Sequence, residues 1–339
     1  MIRFLARRLA GSSLVLLGLT VITFVLARVI PSNAAAVYIG PHARPDDIAR
    51  VTVQLGLDKP LPIQYLKYMA AMLSGDWGTS IGTKRPVLDE ILRRLPASLE
   101  LITAAMLLAI PLGIVLGLVA ARWHGRPPDA IVRLTSIIGV SMPAFFLGLV
   151  VQIIFFSALH LFPLVGRVDS DLRFTNPIAP VTGFYTIDAL LGGNVAGFLD
   201  VLSHLFLPAL TLAAYPIAVI ARMMRASTLE TLALDHVRTA RAYGIGEGKI
   251  LRRLVLRNAL LPVLSVIGLT LAYSLTGTFF VEIVYSWPGL GTFTVQSILN
   301  VDYPSIMGIT LLGAVGYVTI NLLVDLGQAW LDPRIRTAS

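Results

Sequence analysis

Six long runs without a charged residue divide this chain, and polar segments of very different lengths separate them. Each run has roughly 20 residues, so a helix with a rise of about 1.5 Å per residue would cross a hydrocarbon core of about 30 Å. Lipid offers no partners for backbone polar groups, so a spanning segment must be helical. The runs are residues 9–27, 101–121, 134–159, 201–221, 259–281 and 303–324. The pattern predicts an all-α membrane protein with six transmembrane helices.

The first run follows the basic sequence MIRFLARR, as a signal peptide would. We expect a retained span instead, because the apolar run is too long and no small-residue cleavage site precedes Pro31. The loop after it is large, and apolar residues at helical spacing predict an amphipathic helix within residues 61–75. The predicted parts are residues 1–30 (N-terminus and first span), 31–97 (large extracytoplasmic loop), 98–329 (five-helix core, with a cytoplasmic segment at 222–258) and 330–339 (cytoplasmic tail).

The distribution of basic residues predicts the direction of the spans. Lysine and arginine concentrate on the cytoplasmic side of membrane proteins, and long loops escape this rule. The outer loop 282–302 would hold no basic residue, and the outer loop 160–200 would hold Arg167 and Arg173. The segments 1–8, 122–133, 222–258 and 325–339 hold 3, 3, 8 and 2 basic residues. Both termini are therefore predicted to be cytoplasmic.

The composition supports a membrane protein and excludes several kinds of chemistry. The chain of 339 residues is 56% hydrophobic and 14% charged, with a mean hydropathy of +0.79, whereas soluble domains carry about 25% charged residues. It has no cysteine, which excludes disulfides, thiolate metal sites and cysteine nucleophiles. The net charge of +8 is explained by the cytoplasmic segments, so we predict no nucleic-acid partner.

The cytoplasmic segment 222–258 has more order than a simple connection. Lys249, Arg253 and Arg257 recur every four residues and would share one helix face. Ile250, Leu251 and Leu254 form an apolar stripe beside them, and three glycines precede the stripe. The pattern predicts a helix, a glycine bend, a short amphipathic helix and then a span. Such an exposed helix would dock into a groove of a cytoplasmic partner or lie on the lipid surface.

The sequence GIGEGK in this segment differs from a phosphate-binding loop. That loop needs glycine, four residues and then Gly-Lys-Ser/Thr. Here Tyr243 stands where the first glycine is required, and Ile250 follows the lysine. We therefore predict that this chain binds no nucleotide or other cofactor itself.

Several long blocks of this chain resemble one family of transport proteins. The first is Arg-Thr-Ala-Arg-Ala-Tyr-Gly (238–244) followed by LRNALLP (256–262). Further blocks are ARRLAGSSLVLLGLTVITFVL (6–26), GLDKPLPIQYLKYMAAMLSGDWGTSI (56–81), VEIVYSWPGLGTFTVQSILNVDYP (281–304) and NLLVDLGQAWLDPRIR (321–336). The chain resembles, over essentially its whole length, the B-type membrane permease subunits of dipeptide, oligopeptide and nickel ABC importers.

The resemblance implies a type I ABC importer permease fold in the bacterial inner membrane and a set of partners. These are a homologous second permease, two ATP-binding subunits that hold ATP and Mg²⁺, and an extracytoplasmic substrate-binding protein, besides membrane lipid. It also implies that segment 236–262 couples the chain to the ATP-binding subunits. The coupling residues would be Arg238, Thr239, Ala240, Arg241, Ala242, Gly244, Lys249, Arg253 and Arg257. Arg238-Thr239-Ala240 stands where the general importer signature has Glu-Ala-Ala, so the contacts themselves would differ.

A few polar and aromatic residues inside the spans are candidates for the translocation path. Charged residues are nearly absent at mid-membrane, which argues against an ion-coupled carrier and favours a conduit powered from outside the chain. Prolines within the spans predict weak points in the helices, Pro143 among them. The candidates are Ser141, Gln152, Ser274 and Thr278, together with Phe145 and Phe146 as gate residues, although packing is the more common role of such aromatics.

The resemblance leaves the solute open, because di- and oligopeptides, nickel chelates and other small solutes share one branch. The region 167–200 is somewhat divergent from the family pattern, and its role is not predicted. Two other protein classes have weaker support. An intramembrane hydrolase would need a nucleophile and a base at depth, and no HExxH pattern is present. A secondary carrier would show inverted repeats and broken helices. We expect a transport subunit that is not an enzyme.

Overall fold

The computed structural model describes residues 2–29, 44–54, 56 and 58–331. Within these residues there is no β-strand, and only one isolated antiparallel bridge joins Thr79 and Pro86. The helices in chain order are α1 (Ile2–Val29), α2 (Pro45–Gln54), α3 (Leu61–Leu73), α4 (Val87–Arg122), α5 (Pro127–Ser141), α6 (Ala144–Gln152), α7 (Ser170–Thr175), α8 (Tyr185–Leu191), α9 (Val195–Leu232), α10 (Asp235–Ala242), α11 (Glu247–Ile250), α12 (Leu256–Val284), α13 (Leu290–Leu299) and α14 (Tyr303–Leu331). Two π-helical segments, Ile153–Ala158 and Leu251–Val255, follow α6 and α11. The all-α membrane architecture is confirmed.

The described helices supply most of the predicted spans. Four of them are long and apolar enough to cross a membrane: α4, α9, residues Glu247–Leu275 and residues Tyr303–Gly327. A fifth span results if α5 and the helix that follows it are counted together, and α1 holds a shorter apolar stretch, Ala10–Val25. The count of six remains a prediction. The amphipathic helix expected within residues 61–75 is α3.

The third predicted span is broken into two helices, at one of the prolines that predicted a weak point. Residues 134–159 fall in α5 and in Ala144–Ala158, and these two helices are bent by 111°. The break lies at Met142 and Pro143, where Met142 is extended with φ −83° and ψ 124°. Proline disfavours helical geometry in the residue before it and lacks an N–H of its own. A helix therefore ends at Ser141 and another begins at Ala144.

The chain forms two compact units, and the first comprises residues 1–98 and 288–318. Its aromatic cluster joins α1 to α3: the ring of Phe24 lies 5.4 Å from Tyr65 and 5.8 Å from Tyr68, between centroids. The Tyr65 hydroxyl lies 2.8 Å from that of Thr20. Offset and edge-on aromatic pairs of this kind add stability beyond the area that they bury.

Within this unit a buried carboxylate fixes the loop before α4 to the turn before α14. The side chain of Asp302 accepts hydrogen bonds from the Ser80 hydroxyl at 2.5 Å, from the Ser305 hydroxyl at 2.9 Å and from the Gly82 N–H at 3.2 Å. Asp302 is almost completely buried. Its hydrogen bonds compensate for the loss of solvent, so the carboxylate acts as an anchor for this loop.

The second unit comprises residues 99–287 and 319–339 and holds the helices on which the candidate sites lie. Here α4 packs closely on α9 through glycine. A Cβ at Gly117 would lie 2.6 Å from the Ala221 carbonyl oxygen and 2.6 Å from the Met224 Cβ, and a Cβ at Gly113 would lie 2.7 Å from Ile220. Small residues permit such close backbone approach between membrane helices.

Candidate functional site

The segment predicted to face a cytoplasmic partner has the order of elements that its sequence predicts. Helix α9 continues past the predicted span end at Ala221 to Leu232, and the short helix α10 follows. Gly244 then takes φ +76°, a conformation that favours glycine, and the chain turns into α11. The π-helical Leu251–Val255 joins α11 to α12. The predicted glycine bend is therefore at Gly244.

One apolar core lies beneath this segment and joins it to the spans. It contains Ile220 and Met224 from α9, Val237 from α10, and Ile250 and Val255 next to the π-helical turn, all fully buried. Leu251 and Leu254 pack against the same core. The predicted apolar stripe thus contacts the protein's own helices, which disfavours the alternative that it rests on lipid. The short helix α10 therefore shares one packed core with α9 and α12.

The outer face of the segment is basic and exposed. Eight of the nine predicted coupling residues are exposed, and the ninth, Ala240, is buried in the core. The exposed eight are Arg238, Thr239, Arg241, Ala242, Gly244, Lys249, Arg253 and Arg257. Tyr243 stands at the bend with 82% of its surface exposed. We call this face, from Arg238 to Arg257 and including Tyr243 at the bend, the basic knob.

One arginine of the basic knob braces the bend. The Nε and Nη2 atoms of Arg241 lie 2.6 and 3.2 Å from the two carboxylate oxygens of Glu247. This bidentate pair spans the glycine bend, so Arg241 contributes shape as much as charge. Arg238 lies 3.6 Å from Asp235, and both side chains are strongly exposed, so that pair stabilises little.

A buried aspartate holds the extension of α9 from the other side. Asp129 in α5 is 1% exposed and accepts hydrogen bonds from Nε and Nη2 of Arg225 at 2.6 and 2.9 Å. The Gly125 N–H donates to the same carboxylate at 3.0 Å, and His124 Nδ1 lies 2.9 Å from Arg225 Nη2. Charge-assisted bonds of this type fix both helices in register. The α9 extension, on whose core residue Met224 the segment of the basic knob packs, is thus fixed to α5 by these bonds.

A second candidate site is a cavity of about 230 Å³ at the break between α5 and α6. Its walls come from α9 and α12 as well as from the break. Ser141 and Ser274, two of the predicted path residues, both line it. Tyr215 and Tyr273 form one wall, with ring centroids 5.1 Å apart and planes tilted by 32°.

The other four predicted path residues do not line this cavity. The Gln152 amide nitrogen donates to the carbonyls of Leu164 and Val284 at 3.1 Å each, so it holds the chain together. Thr278 is buried, and its hydroxyl donates to the Leu275 carbonyl within α12. Phe145 and Phe146 are both about half exposed, and the Phe145 ring lies 6.2 Å from Phe280. The geometry unites two of the six predicted residues.

The region 167–200 is tied to the core by a buried ion pair. Arg167 Nε and Nη2 lie 2.9 and 2.5 Å from Glu100 Oε2, and Arg167 also donates to the Gly183 carbonyl at 2.8 Å. The other oxygen of Glu100 accepts from the backbone N–H and the hydroxyl of Thr186, at 2.8 and 2.7 Å. The guanidinium group lies 4.0 Å from the Tyr185 ring centroid, in cation–π contact.

Asp188 closes a turn in the same region. Burial would raise the pKa of this carboxyl, but hydrogen bonds from the hydroxyl and N–H of Thr182 and from the N–H groups of Gly183 and Val181 outweigh it, so the pKa is lowered. The charged carboxylate therefore organises the turn before α8. We call residues 167–200, with these two anchors, the cap.

Sequence reasoning missed three tyrosines. Tyr243 precedes a glycine, which marked it as part of a bend, but an exposed aromatic at a bend is also a signal of a contact surface. Tyr215 precedes Pro216, and Tyr273 precedes Ser274. A tyrosine next to a proline or serine in the middle of an apolar span is the signal that could have been used for these two.

Comparisons with known proteins give a consistent result. Residues 1–102 match the model of the N-terminal part of the binding-protein-dependent transport system membrane component, and residues 113–337 match the binding-protein-dependent transport system inner membrane component. The chain is 44% identical over 331 residues (98% of this chain, 96% of the relative) to the probable D,D-dipeptide transport system permease protein DdpB of Escherichia coli K12. It is 41% identical over 337 residues (99% of each) to the di/tripeptide transport system permease protein DppB of Pseudomonas aeruginosa. It is 39% identical over 336 residues (99% and 100%) to the dipeptide transport system permease protein DppB of Alkalihalophilus pseudofirmus.

Proposed function

Because this chain belongs to the family of binding-protein-dependent transport system inner membrane components, and is thus a multi-pass permease subunit of an ABC importer rather than an enzyme, we propose that the basic knob is where its ATP-binding subunits dock. The observation that carries this proposal is the exposed basic face on a core shared by α9, α10 and α12. Exposed tyrosine and arginine side chains are typical of residues that dominate binding energy at protein interfaces.

The assembly that we propose has four kinds of component. This chain would form half of the translocation path, and a homologous second permease would form the other half. Two ATP-binding subunits would bind ATP and Mg²⁺ below, and an extracytoplasmic protein would deliver the solute above. Family membership supports further subunits of a binding-protein-dependent system in general.

We propose that both termini and the basic knob are cytoplasmic. The distribution of lysine and arginine supports this orientation, since the segment 222–258 holds 8 of them and the loop 282–302 holds none. The knob then faces the compartment that contains ATP, and the cap faces the compartment from which solute arrives. This chain itself would bind no nucleotide.

The solute that we propose is a di- or oligopeptide. Support comes from relatives that are named as dipeptide or di/tripeptide permeases and match this chain over at least 96% of their length. First selection among peptides would lie with the extracytoplasmic binding protein.

Purification of the tagged chain in mild detergent tests this proposal. We expect a second permease and ATP-binding subunits to co-purify and to be identified by mass spectrometry. An Arg238→Glu, Tyr243→Ala double variant should lose the ATP-binding subunits and keep the second permease. Arg126→Glu makes the same charge change at an exposed residue of another predicted cytoplasmic segment and is the matched control. If the chain purifies alone, or if the double variant retains its ATP-binding subunits as well as the control does, the proposal is wrong.

A further inference from the structure

We propose that the cavity at the break between α5 and α6 is a contact site for the backbone of a peptide in transit, with Tyr215 and Tyr273 as its wall. This inference rests on the proposed function and adds to it a place in the path and a mode of recognition. The evidence is the chemistry of the lining, the backbone groups that prolines leave without partners, and the size of the cavity.

The described residues that line the cavity carry no charge. Polar side-chain atoms come from Ser141, Thr211, Ser274 and the two tyrosines, and the remaining lining residues are apolar or glycine. Burying an ammonium or carboxylate without a charged partner is costly. The lining therefore suits neutral amide groups rather than a charged terminus. It contains no histidine or carboxylate, so it offers no side-chain ligand for the metal of a metal chelate.

Prolines leave two backbone acceptors at the cavity without their usual helical partners. Pro216 has no N–H, so the carbonyl of Leu212, four residues earlier, lacks the bond that an α-helix normally supplies. The carbonyl of Gly139 lies in the last turn of α5, which ends before Pro143, so no helical N–H reaches it. Both Leu212 and Gly139 line the cavity. Backbone groups without helical partners are tolerated at membrane depth where they line a cavity.

The lining thus offers both kinds of hydrogen-bonding partner that a peptide group needs. The two carbonyls and the hydroxyl oxygens accept, and the hydroxyl groups of Ser141 and Tyr215 can also donate. Ala144 stands in the first turn of α6, where a helix provides no acceptor for the N–H groups. The rings of Tyr215 and Tyr273, with centroids 5.1 Å apart and planes tilted by 32°, add an apolar aromatic surface against which a peptide group can pack.

The size of the cavity limits what it holds. Its volume of about 230 Å³ is below the range of roughly 300–1,000 Å³ that is common for sites that enclose a whole small molecule. It therefore accommodates a segment of one or two residues. Such a site would contact one peptide group at a time and leave side chains and termini outside, and it would discriminate little among sequences.

The structure offers a substitution that fills the cavity without a backbone clash. A Cβ at Gly277 would meet only Leu212 Cδ1, at 3.7 Å, which is an ordinary contact. Gly139, by contrast, leaves less room, because its Cβ would lie 3.2 Å from the Ala214 carbonyl oxygen. Gly277→Val therefore occupies cavity space, and Tyr273→Leu removes one ring. Tyr317→Leu is the matched control: it makes the same substitution in α14, at a side chain that is 48% exposed against 58% for Tyr273, and it does not line the cavity.

The test uses the complete importer with its co-purifying subunits, reconstituted in vesicles, and radiolabelled Ala-Ala as the probe. We expect Gly277→Val and Tyr273→Leu each to lower ATP-dependent uptake by about tenfold, the equivalent of about 1.4 kcal/mol, with unchanged subunit composition. Tyr317→Leu should stay close to wild type. A dipeptide that carries a benzophenone side chain should also cross-link to the wild-type complex, at peptides that contain Tyr215 or Tyr273, which requires no variant to fold.

The outcomes separate this inference from the proposed function. If wild type imports Ala-Ala but both cavity variants match Tyr317→Leu, or if the cross-links fall outside the cavity walls, this inference is overturned and the proposed function stands. If the wild-type complex with its ATP-binding subunits imports no peptide at all, the proposed substrate class fails, and this inference fails with it.

Discussion

The buried pair of Glu100 and Arg167 allows a quantitative test of how the cap is held. We consider Arg167→Met, which keeps a long apolar side chain but removes the guanidinium. Glu100 Oε2 then loses both of its bonds from Arg167, whereas Oε1 keeps those from Thr186. Removal of one partner from a buried ion pair destabilises by about 3–5 kcal/mol, because the other charge stays buried without compensation.

This free energy should be measurable as local opening of the cap. Arg173 is exposed within α7, so trypsin cleavage after Arg173 reports on the population of opened cap in detergent-purified protein. A loss of about 3 kcal/mol predicts cleavage about 100-fold faster in Arg167→Met than in wild type. Arg173→Gln identifies the cleavage site, because it should abolish that fragment in both backgrounds.

A double-mutant cycle decides whether the charge is responsible. Glu100→Met combined with Arg167→Met removes both charges, so the double variant should open less readily than Arg167→Met alone. The reasoning is refuted if the two single effects simply add, or if Arg167→Met accelerates cleavage less than fivefold. In that case packing of the Arg167 stem against Tyr185, rather than the ion pair, would hold the cap.

Three further predictions concern other anchors. Gly117→Val should prevent α4 from packing on α9, since the new side chain meets the Ala221 carbonyl. It should therefore lower the yield of monodisperse protein in size-exclusion chromatography. Gly11→Val is the control and should leave that yield unchanged, because there is open space around its Cβ. Asp302→Asn should lower the apparent melting temperature, equivalent to about 1–3 kcal/mol, because it weakens the acceptor that Ser80 and Ser305 share; an unchanged melting temperature would refute the anchor role. Because the pKa of Asp188 is lowered in the folded protein, its carboxylate stabilises the fold fully above the unfolded-state pKa of about 3.9. This stabilisation is lost as the pH falls through the folded-state pKa. Hydrogen exchange in residues 181–188, corrected for intrinsic rates, should therefore rise below about pH 4 in wild type and be nearly independent of pH in Asp188→Asn.

Local signals explain what the sequence predicted well. Charge-free runs locate the spans, and the glycine at 244 locates the bend, because each depends on a few neighbouring residues. Ile250 and its neighbours form a stripe at helical spacing, and the stripe is buried as expected. The surface on which that stripe packs was harder to predict, since the membrane lipid and an apolar protein core would both accept it.

Tertiary contacts explain what the sequence could not reveal. Pro143 was visible as a weak point, but whether a proline bends or ends a helix depends on the helices around it, and here it ends one. Tyr215 and Tyr273 stand on different helices, so only the fold brings their rings together. Glu100 stands at the end of a span, where a charge needs no partner, and its pairing with Arg167 depends on how the intervening chain folds.

Helix α9 has a mechanical consequence for the molecule. Its 38 residues give a rod of about 57 Å, nearly twice the thickness of a hydrocarbon core. Tyr215 stands in the cavity wall and Met224 stands under the short helix α10, so the same rod carries both. Nine residue steps separate them, a rise of about 14 Å along the helix. A displacement of α9 beneath α10 would therefore also displace the cavity wall, because both positions belong to one continuous helix, and Pro216 is the position between them where the helix could bend.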